Sequence, residues 1–256
     1  MNDKSSAFSL SGETALVTGA TRGIGRACAF ALARAGANVA VGCRDKAAGD
    51  ALAAELGRLD VRATAVTMDM ISVDSIGSAI AFIESEFAPI SVLVNNAGHS
   101  RPAPALEVQA ADYDSMFELN VKGAFFAAQA VARFMLKRGG GAIVNITSQA
   151  GLVALSGESV YCMSKAAMIH MTRCLAVEWA PHRIRVNAVA PTFIRTDSTQ
   201  GWLGNPSSLK SLLDRIPLGR IGNPEDVAEP VVFLASRAAA LVTGTTLAID
   251  GGWTAV

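Results

Sequence analysis

Three side chains with complementary proton chemistry lie close together in the middle of the sequence. Ser148 follows an apolar run at residues 142–146, and Tyr161 and Lys165 come next in a segment with a helical pattern. Because four residues make about one helical turn, the phenol and the ammonium share one face of that helix. A cation within about 4–6 Å lowers a tyrosine pKa by roughly 1–3 units from its usual value of about 10. The pattern predicts a site in which Lys165 prepares Tyr161 for proton transfer.

A tyrosine and a lysine at this spacing are also common on ordinary helices, where the ring packs in the core and the charge stays in water. Asn120 is a further candidate, because it lies with Gly123 inside a helical pattern at residues 111–137 although both are poor helix formers. Either Asn120 takes part in the chemistry, or it opens a kink and caps a second helical segment.

The composition restricts the class of protein. The chain has 256 residues, of which 51% are hydrophobic, so it can bury a large core. No linker, repeat or low-complexity tract interrupts it, which predicts one continuous α/β domain over residues 1–256. The 22 basic residues balance the 22 acidic ones, and this neutrality argues against nucleic acid or an anionic membrane as the main partner.

The cysteines and the first residues predict a cytoplasmic protein. The four cysteines have neither Cys-x-x-Cys spacing nor a set of histidines around them, so the sequence gives no case for a metal or a redox pair. Reduced thiols are typical of the cytosol. Residues 1–10 are polar and unlike a signal peptide, and no apolar run approaches the roughly 20 residues of a membrane helix.

A glycine-rich turn follows the first apolar run. Residues 14–17 lead into Gly19-Ala20-Thr21-Arg22-Gly23-Ile24-Gly25, and a helical pattern continues to about residue 34. Glycines allow backbone N–H groups to approach a ligand closely, and a helix N-terminus carries unpaired donors and a positive dipole end. The alternative is a tight turn with no ligand. The strand before it and the helix after it favour a dinucleotide diphosphate site.

The next strand predicts which dinucleotide binds. Residues 38–42 are followed by Cys43-Arg44-Asp45, about where a side chain reads the adenosine ribose. Arg44 and Arg22 together suit a 2′-phosphate through charge-assisted bonds, which predicts NADP(H). Asp45 keeps NAD(H) open, because a small shift of the strand end would bring its carboxylate to the ribose.

Later strand ends carry further candidates. The strand at 63–68 ends at Asp69 and Met70, which face the adenine in a doubly wound sheet, although Asp69 or Ser72 is equally suited to cap the next helix. The strand at 91–94 runs into Asn95-Asn96-Ala97-Gly98, which is either a ligand cleft or a turn.

The remaining chain continues the alternation of helix and strand. A helix at 161–180, a strand at 185–188 and a last strand at 245–249 complete it. Between the last two strands, the polar, glycine-containing stretch at about 195–216 predicts a substrate lid.

In order, Thr18-Gly19-x-x-x-Gly23-Ile24-Gly25, Asn95-Asn96-Ala97-Gly98, Asn120, Ser148 and Tyr161-x-x-x-Lys165 resemble the classical short-chain dehydrogenase/reductase family over nearly the whole chain. The alternation of strand and helix with the glycine turn predicts a doubly wound Rossmann-type domain. The resemblance implies a central sheet of seven parallel strands, flanked by helices.

The resemblance also implies roles. Tyr161 is the acid/base, and Ser148 polarises the substrate oxygen. Lys165 binds the nicotinamide ribose and lowers the tyrosine pKa, and Asn120 holds a water that relays protons to Lys165. Relatives often have glycine where this chain has Thr192. The cofactor contacts expected from the residues and from the resemblance are Gly19, Thr21, Arg22, Gly23, Ile24, Arg44, Asp69, Met70, Asn96, Ala97, Gly98, Tyr161, Lys165, Pro191, Thr192, Ile194 and Thr196.

These features predict an NADP(H)-dependent oxidoreductase that interconverts a carbonyl and a secondary alcohol, with NAD(H) as the alternative cofactor. Polar side chains in the lid and at the mouth of the site favour a sugar, polyol or hydroxy acid. The lid residues are Arg195, Asp197, Ser198, Thr199, Gln200 and Trp202, and the mouth residues are His99, Arg101, Glu158 and Met163.

Other functions remain open. The basic residues Arg133, Lys137 and Arg138 leave room for a 3-oxoacyl-(acyl-carrier-protein) reductase, although cations at a helix C-terminus explain them equally well. A non-catalytic nucleotide-binding regulator is a third possibility. An enoyl reductase is disfavoured because such relatives have Tyr-x6-Lys spacing. The resemblance further implies a homotetramer built on the helices at 111–137 and 161–180.

Overall fold

The computed structural model describes residues 6–256, and the first five residues of the polar N-terminal segment lie outside it. Seven strands and nine α-helices occur in this part of the chain. The strands are β1 Thr14–Thr18, β2 Asn38–Cys43, β3 Ala63–Thr67, β4 Val92–Asn95, β5 Gly141–Ile146, β6 Ile184–Pro191 and β7 Thr246–Ile249. The helices are α1 Gly23–Arg34, α2 Lys46–Leu56, α3 Val73–Phe82, α4 Ala110–Phe117, α5 Ala124–Arg138, α6 Ser159–Trp179, α7 Gln200–Leu203, α8 Pro206–Leu213 and α9 Pro224–Ala235.

The strands form one parallel sheet in the order β3-β2-β1-β4-β5-β6-β7. This confirms the predicted doubly wound Rossmann-type fold with seven parallel strands. The winding direction reverses between β1 and β4, and ligands of such sheets bind beyond the carboxyl ends of the strands at this point. We refer to that side as the carboxyl edge of the sheet.

Helices cover both faces of the sheet. The buried side chains of one face pack against α1, α2 and α9, and those of the other face pack against α3, α5 and α6. The central strands are buried on both faces and are therefore mostly apolar: every residue of β1 and β4 is buried, and only Thr14, Thr18 and Asn95 among them are polar. No helix within residues 6–256 combines the length and the apolarity that a bilayer crossing requires.

The helical pattern at 111–137 does not form one α-helix. A π-helical segment at Glu118–Gly123 separates α4 from α5, and it contains both Asn120 and Gly123. Such segments are rare and occur often at functional sites. Gly123 lies against the main-chain carbonyl of Met70 so closely that a Cβ atom would overlap with it. Gly123 therefore lets this segment approach the chain that follows β3.

The stretch predicted as a lid contains α7 and α8 and is not wholly polar. Leu212 and Ile216 form a small apolar cluster with Trp253, against which Val153 and Leu155 of the loop after β5 also pack. The segment therefore contacts the loop that carries Ser148. Its opening and closing stay a prediction.

The contact of Gly123 predicts a large difference between two glycine substitutions. Gly123→Ala should lower the free energy of unfolding by about 1–3 kcal/mol, because the methyl group overlaps with the Met70 carbonyl. Gly77→Ala in α3 is the matched control: a Cβ atom there has no heavy atom within 4 Å, and alanine is the better helix former by about 1 kcal/mol. Urea denaturation followed by circular dichroism measures both. A Gly123→Ala variant as stable as the wild type would contradict the role of this approach.

Candidate active site

The four predicted catalytic residues come together at the carboxyl edge. Ser148 lies two residues beyond β5, and the Lys165 Nζ donates to the main-chain carbonyl of Ile146 at the end of β5, at 2.9 Å. Gly98, which follows β4, faces Asn120 and Lys165: a Cβ atom added to it would lie 3.0 Å from Asn120 Oδ1 and 3.5 Å from Lys165 Nζ. The Lys165 Nζ in turn lies over the Tyr161 ring. A larger residue than glycine at position 98 would crowd both side chains.

Asn120 clamps three parts of the site. Its Oδ1 accepts from the N–H of His99 and its Nδ2 donates to the carbonyl of His99, both at 2.9 Å. Nδ2 also donates to Ser164 Oγ at 3.0 Å, and Ser164 Oγ in turn donates to the main-chain carbonyl of Tyr161 at 2.8 Å. The amide side chain is fully buried. It therefore fixes the loop after β4 against the turn of α6 that carries Tyr161.

Burial shifts the pKa values of the phenol and the ammonium in opposite directions. It raises the pKa of Tyr161 to about 12, while a hydrogen bond with Ser148 opposes that shift and the negative charge of Glu158 adds to it. Burial lowers the pKa of Lys165 to about 8. The Lys165 Nζ lies 5.7 Å from the centre of the Tyr161 ring. In the protein by itself, the expected lowering of the Tyr161 pKa by Lys165 is therefore outweighed by burial.

Ser148 has a partner that its sequence position did not reveal. Its Oγ accepts from the N–H of Ala150 at 3.1 Å, which caps a short 3₁₀ turn, and it donates to Gln149 Oε1 at 2.9 Å. Gln149 is itself buried. The proton of the Ser148 hydroxyl is therefore engaged by Gln149 in the protein by itself.

The glycine-rich turn is built to leave backbone donors open. Gly19 has a φ of +63°, a region that favours glycine, and a Cβ atom on Gly25 would overlap with Asn96 Nδ2 and the Gly19 carbonyl. Helix α1 begins at Gly23 without a side-chain cap from Arg22 and without an acidic residue in its first turn. The N–H groups at this helix end are therefore available to an anion.

Two side chains hold that turn against the loop after β4. The Asn96 Nδ2 donates to the carbonyls of Thr18 at 2.9 Å and Gly19 at 3.0 Å. Thr18 Oγ1 accepts from the N–H groups of Asn96 at 3.0 Å and Ala97 at 3.1 Å. The amide group of Asn96, predicted to contact the cofactor, thus supports the glycine turn. Both Thr18 and Asn96 position the turn at the switch point of the sheet.

The end of β2 carries the arginine expected at the adenosine ribose. Cys43 ends the strand and is buried, whereas Arg44 and Arg22 are exposed. Asp45 is engaged elsewhere: it is the N-cap of α2, and its Oδ1 accepts from the N–H of Ala48 at 3.1 Å. The carboxylate that would favour NAD(H) therefore stabilises a helix end.

The residues after β3 make hydrogen bonds and apolar contacts within the protein. Asp69 Oδ1 accepts from the N–H of Ile71 at 3.1 Å, and Ser72, the alternative named above, caps α3. Met70 is buried in the apolar cluster between the sheet and α3, α5 and α6. Contacts of Asp69 and Met70 with an adenine stay predictions.

The segment after β6 offers an unused buried hydroxyl. Thr192 follows Pro191 at the end of β6, and its buried Oγ1 has no hydrogen-bond partner within residues 6–256. A buried hydroxyl of this kind is costly unless a ligand group meets it. Ile194 is buried, and the methyl group of Thr196 lies 3.2 Å from the Cβ position of Gly23, beside the first turn of α1.

Three features of the carboxyl edge suit a nicotinamide dinucleotide. The uncapped start of α1 suits a diphosphate, the exposed arginines suit the adenosine end, and the buried Thr192 hydroxyl lies at the other end of the same edge. Within the described residues, no cluster of three or more histidine, cysteine, aspartate or glutamate side chains is arranged to bind a metal. The four cysteines are free thiols.

Several of the charged candidate residues contact parts of the protein away from the catalytic groups. Arg101 pairs with Asp112 at 3.2 Å. Arg195 lines a shallow cleft between α1 and α9, together with Arg26 and Arg34. Arg138 of the basic cluster forms a two-pronged ion pair with Glu84, at 2.6 and 2.9 Å, and donates to the carbonyl of Ile90. Because the charge of Arg138 is paired with Glu84, the cluster has one cation fewer to offer to an acidic partner.

Comparison with known proteins identifies the family. A family model described as Enoyl-(Acyl carrier protein) reductase matches residues 19–254. D-threitol dehydrogenase of Mycolicibacterium smegmatis is 42% identical over 249 residues, which cover 96% of this chain and 95% of that protein. A 2-dehydro-3-deoxy-D-gluconate 5-dehydrogenase of Escherichia coli is 40% identical over 251 residues, which cover 98% of each chain.

A solved structure agrees in fold and in the class of cofactor. The crystal structure of a gluconate 5-dehydrogenase from Burkholderia cenocepacia, in complex with NADP and tartrate, superimposes with a TM-score of 0.95. It is 34% identical, and the alignment covers 98% of both chains. Members of the family use NAD(P). The chain belongs to the short-chain dehydrogenase/reductase family and is an oxidoreductase that acts on CH–OH groups.

Proposed function

We propose that the chain is an NADP(H)-dependent oxidoreductase that interconverts a carbonyl and a secondary alcohol on a small polyhydroxylated substrate, with Tyr161 as the acid/base. The observation that carries the proposal is the grouping of Ser148, Tyr161 and Lys165 beside Gly98 at the carboxyl edge. The related D-threitol and 2-dehydro-3-deoxy-D-gluconate dehydrogenases act on substrates of this general kind, by their names.

In the direction of reduction, Tyr161 donates the proton. When bound, NADPH supplies the hydride to the carbonyl carbon. Because burial raises the pKa of Tyr161 to about 12, the phenol holds its proton at neutral pH and can give it to the substrate oxygen. The Ser148 hydroxyl, released from Gln149, donates a hydrogen bond to the same oxygen as negative charge develops on it.

Lys165 supports the phenolate that remains after proton transfer. One of its N–H groups is held by the Ile146 carbonyl, and burial lowers its pKa to about 8, so it is mostly an ammonium at neutral pH. Its charge offsets the negative charge of the phenolate, and a further N–H can bind the nicotinamide ribose. Asn120 positions Tyr161 through Ser164. Both N–H groups of the Asn120 amide already donate, one to the His99 carbonyl and one to Ser164 Oγ. They therefore cannot also donate to the water that was predicted to relay protons to Lys165.

NADP(H) is the proposed cofactor because of the charges at the end of β2. Arg44 and Arg22 are exposed there, and Asp45 is bound as the cap of α2. Two guanidinium groups suit a 2′-phosphate through charge-assisted hydrogen bonds. The related gluconate 5-dehydrogenase was crystallised with NADP.

The other functions have less support. A non-catalytic regulator of this fold would be expected to lack one of the four catalytic residues, and this chain has all of them. A carrier-protein reductase would use the basic cluster at the end of α5, where Arg138 is bound to Glu84. An enoyl reductase is disfavoured by the Tyr161-x3-Lys165 spacing, although the matching family model carries that description.

We also propose a homotetramer, the assembly implied by the family, with α5 and α6 packed against symmetry mates. The Val177 side chain of α6 is 77% exposed, and Leu247 is exposed on β7, the last strand of the sheet. Apolar surface and an unpaired strand edge favour association. Light scattering should give a mass near four times 26.5 kDa, and a monomeric mass at micromolar concentration would contradict the proposal.

The role of Tyr161 predicts a loss of turnover without a loss of cofactor binding. Tyr161→Phe should lower kcat for the reduction of a ketose by NADPH at least about 100-fold, because a positioned acid contributes that much. Binding of NADPH, followed by its fluorescence, should persist. Tyr113→Phe is the matched control, since Tyr113 stacks on Phe117 at the surface and is the only other tyrosine. Undiminished turnover in Tyr161→Phe would reject the proposed mechanism.

The role of Arg44 predicts a change in cofactor preference. Arg44→Ala should lower the ratio of kcat/KM with NADPH to that with NADH by about tenfold or more, the usual effect of losing a charge-assisted hydrogen bond. Arg58→Ala is the control, because Arg58 is exposed beyond the far end of α2. If Arg44→Ala leaves the ratio as in the wild type, the assignment of the phosphate to this strand end is wrong.

A further inference from the structure

Glu158 and Ser100 face each other beside the catalytic groups. Ser100 Oγ donates to Glu158 Oε2 at 2.5 Å, within the range of a hydrogen bond from a hydroxyl to a carboxylate. Ser100 lies two residues after Gly98, which approaches Lys165, and Glu158 lies three residues before Tyr161. The pair therefore bridges the loop after β4 and the start of α6.

The Glu158 side chain does not cap α6, although Glu158 is at the N-cap position. It is the N-cap residue of α6, where a side chain usually accepts from an N–H of the first helical turn. The Glu158 side chain makes no such bond and turns to Ser100 instead. Helix α6 therefore starts without a side-chain cap, and the carboxylate is held against the loop after β4.

The loop that carries Ser100 is fixed at both ends. At one end, Asn120 binds both main-chain groups of His99. At the other end, the N–H of Ala103 donates to the carbonyl of Gly157, at 2.8 Å. Both anchors hold main-chain groups of this loop, and neither uses the Glu158 side chain, so the loop keeps both attachments when that side chain is changed. The bond between Ser100 and Glu158 is therefore not needed to close the loop.

The charge of Glu158 has no cationic partner among residues 6–256. Arg101, which follows Ser100, pairs with Asp112. The Glu158 carboxylate is half-buried, and it is near enough to Tyr161 for its charge to raise the pKa of the phenol. The negative charge of Glu158 therefore lies close to the phenol of Tyr161.

The pair can accept hydrogen bonds from a ligand. Within the described residues, Glu158 Oε1 has no hydrogen-bond partner. Ser100 Oγ uses its O–H to donate to Oε2, so its lone pairs can still accept a hydrogen bond. Carboxylate and hydroxyl oxygens suit the hydroxyl groups of a polyol or ketose. A carboxylate on the substrate would instead meet a like charge, and like-charge contacts are an effective means of excluding a competing ligand.

We propose that Glu158, held by Ser100, is a specificity-determining residue that binds a hydroxyl group next to the reacting carbon, and that it selects uncharged ketoses and polyols over keto acids and hydroxy acids. This rests on the proposed function and narrows its substrate class. Of the two relatives compared above, the chain then resembles the D-threitol dehydrogenase in the charge of its substrate rather than the enzyme named for 2-dehydro-3-deoxy-D-gluconate.

The test compares two carbonyl substrates, with NADPH, in the wild type and in three variants. The uncharged substrate is erythrulose and the charged one is 5-keto-gluconate. The wild type should have the higher kcat/KM for erythrulose. Glu158→Gln keeps the size of the side chain and removes its charge, so the ratio of the two kcat/KM values should fall about tenfold or more, mainly through a higher KM for erythrulose. Glu107→Gln, which alters an exposed carboxylate, should leave the ratio unchanged.

The outcomes separate the two proposals. If the wild type reduces neither substrate type, the proposed function fails and the role of Glu158 fails with it. If the wild type reduces erythrulose but Glu158→Gln keeps its substrate ratio, only the role of Glu158 is overturned. A wild type that prefers the keto acid also overturns it. Ser100→Ala, which keeps the main-chain anchors of the loop, should shift the ratio in the same direction as Glu158→Gln. Thermal unfolding and NADPH binding of each variant show whether it is folded.

Discussion

The buried amide of Asn120 is the interaction on which the arrangement of the site depends. It joins the loop after β4, through both main-chain groups of His99, to Ser164 in the first turns of α6. The π-helical segment allows this, because it displaces the chain between α4 and α5 and turns an asparagine inward where a regular helix would continue. Asn120 thereby holds the loop that carries Gly98 and Ser100 against the part of α6 that carries Tyr161.

Around Asn120, the protein buries polar and ionisable groups whose removal from water costs free energy. Lys165 is buried with a carbonyl and a thioether as its partners, Tyr161 is half-buried, and the Thr192 hydroxyl has no partner within residues 6–256. Burying such groups costs free energy, and a ligand that bound to them would offset part of that cost. Their concentration at the carboxyl edge, next to an uncapped helix start, distinguishes this edge from the rest of the sheet.

Much of this could be predicted from the sequence because it depends on short-range patterns. Apolar runs located the seven strands to within a few residues, and the glycine spacing identified the turn before α1. The π-helical segment could not be placed, since periodicity showed only that Asn120 and Gly123 were poor helix formers. The roles of Ser164, Gln149 and Asn96 depend on contacts between distant parts of the chain. The Tyr161 pKa depends on burial, which the spacing to Lys165 does not reveal.

The most direct test of the central claim is the ionisation of Tyr161 itself, measured by the ultraviolet absorbance of the phenolate as the pH is raised. The chain has two tyrosines, so the difference between the wild type and Tyr161→Phe isolates this one. The account predicts that, in the protein without cofactor, Tyr161 forms no phenolate below about pH 10, because burial holds its proton for donation. A phenolate that forms near neutral pH would contradict the account.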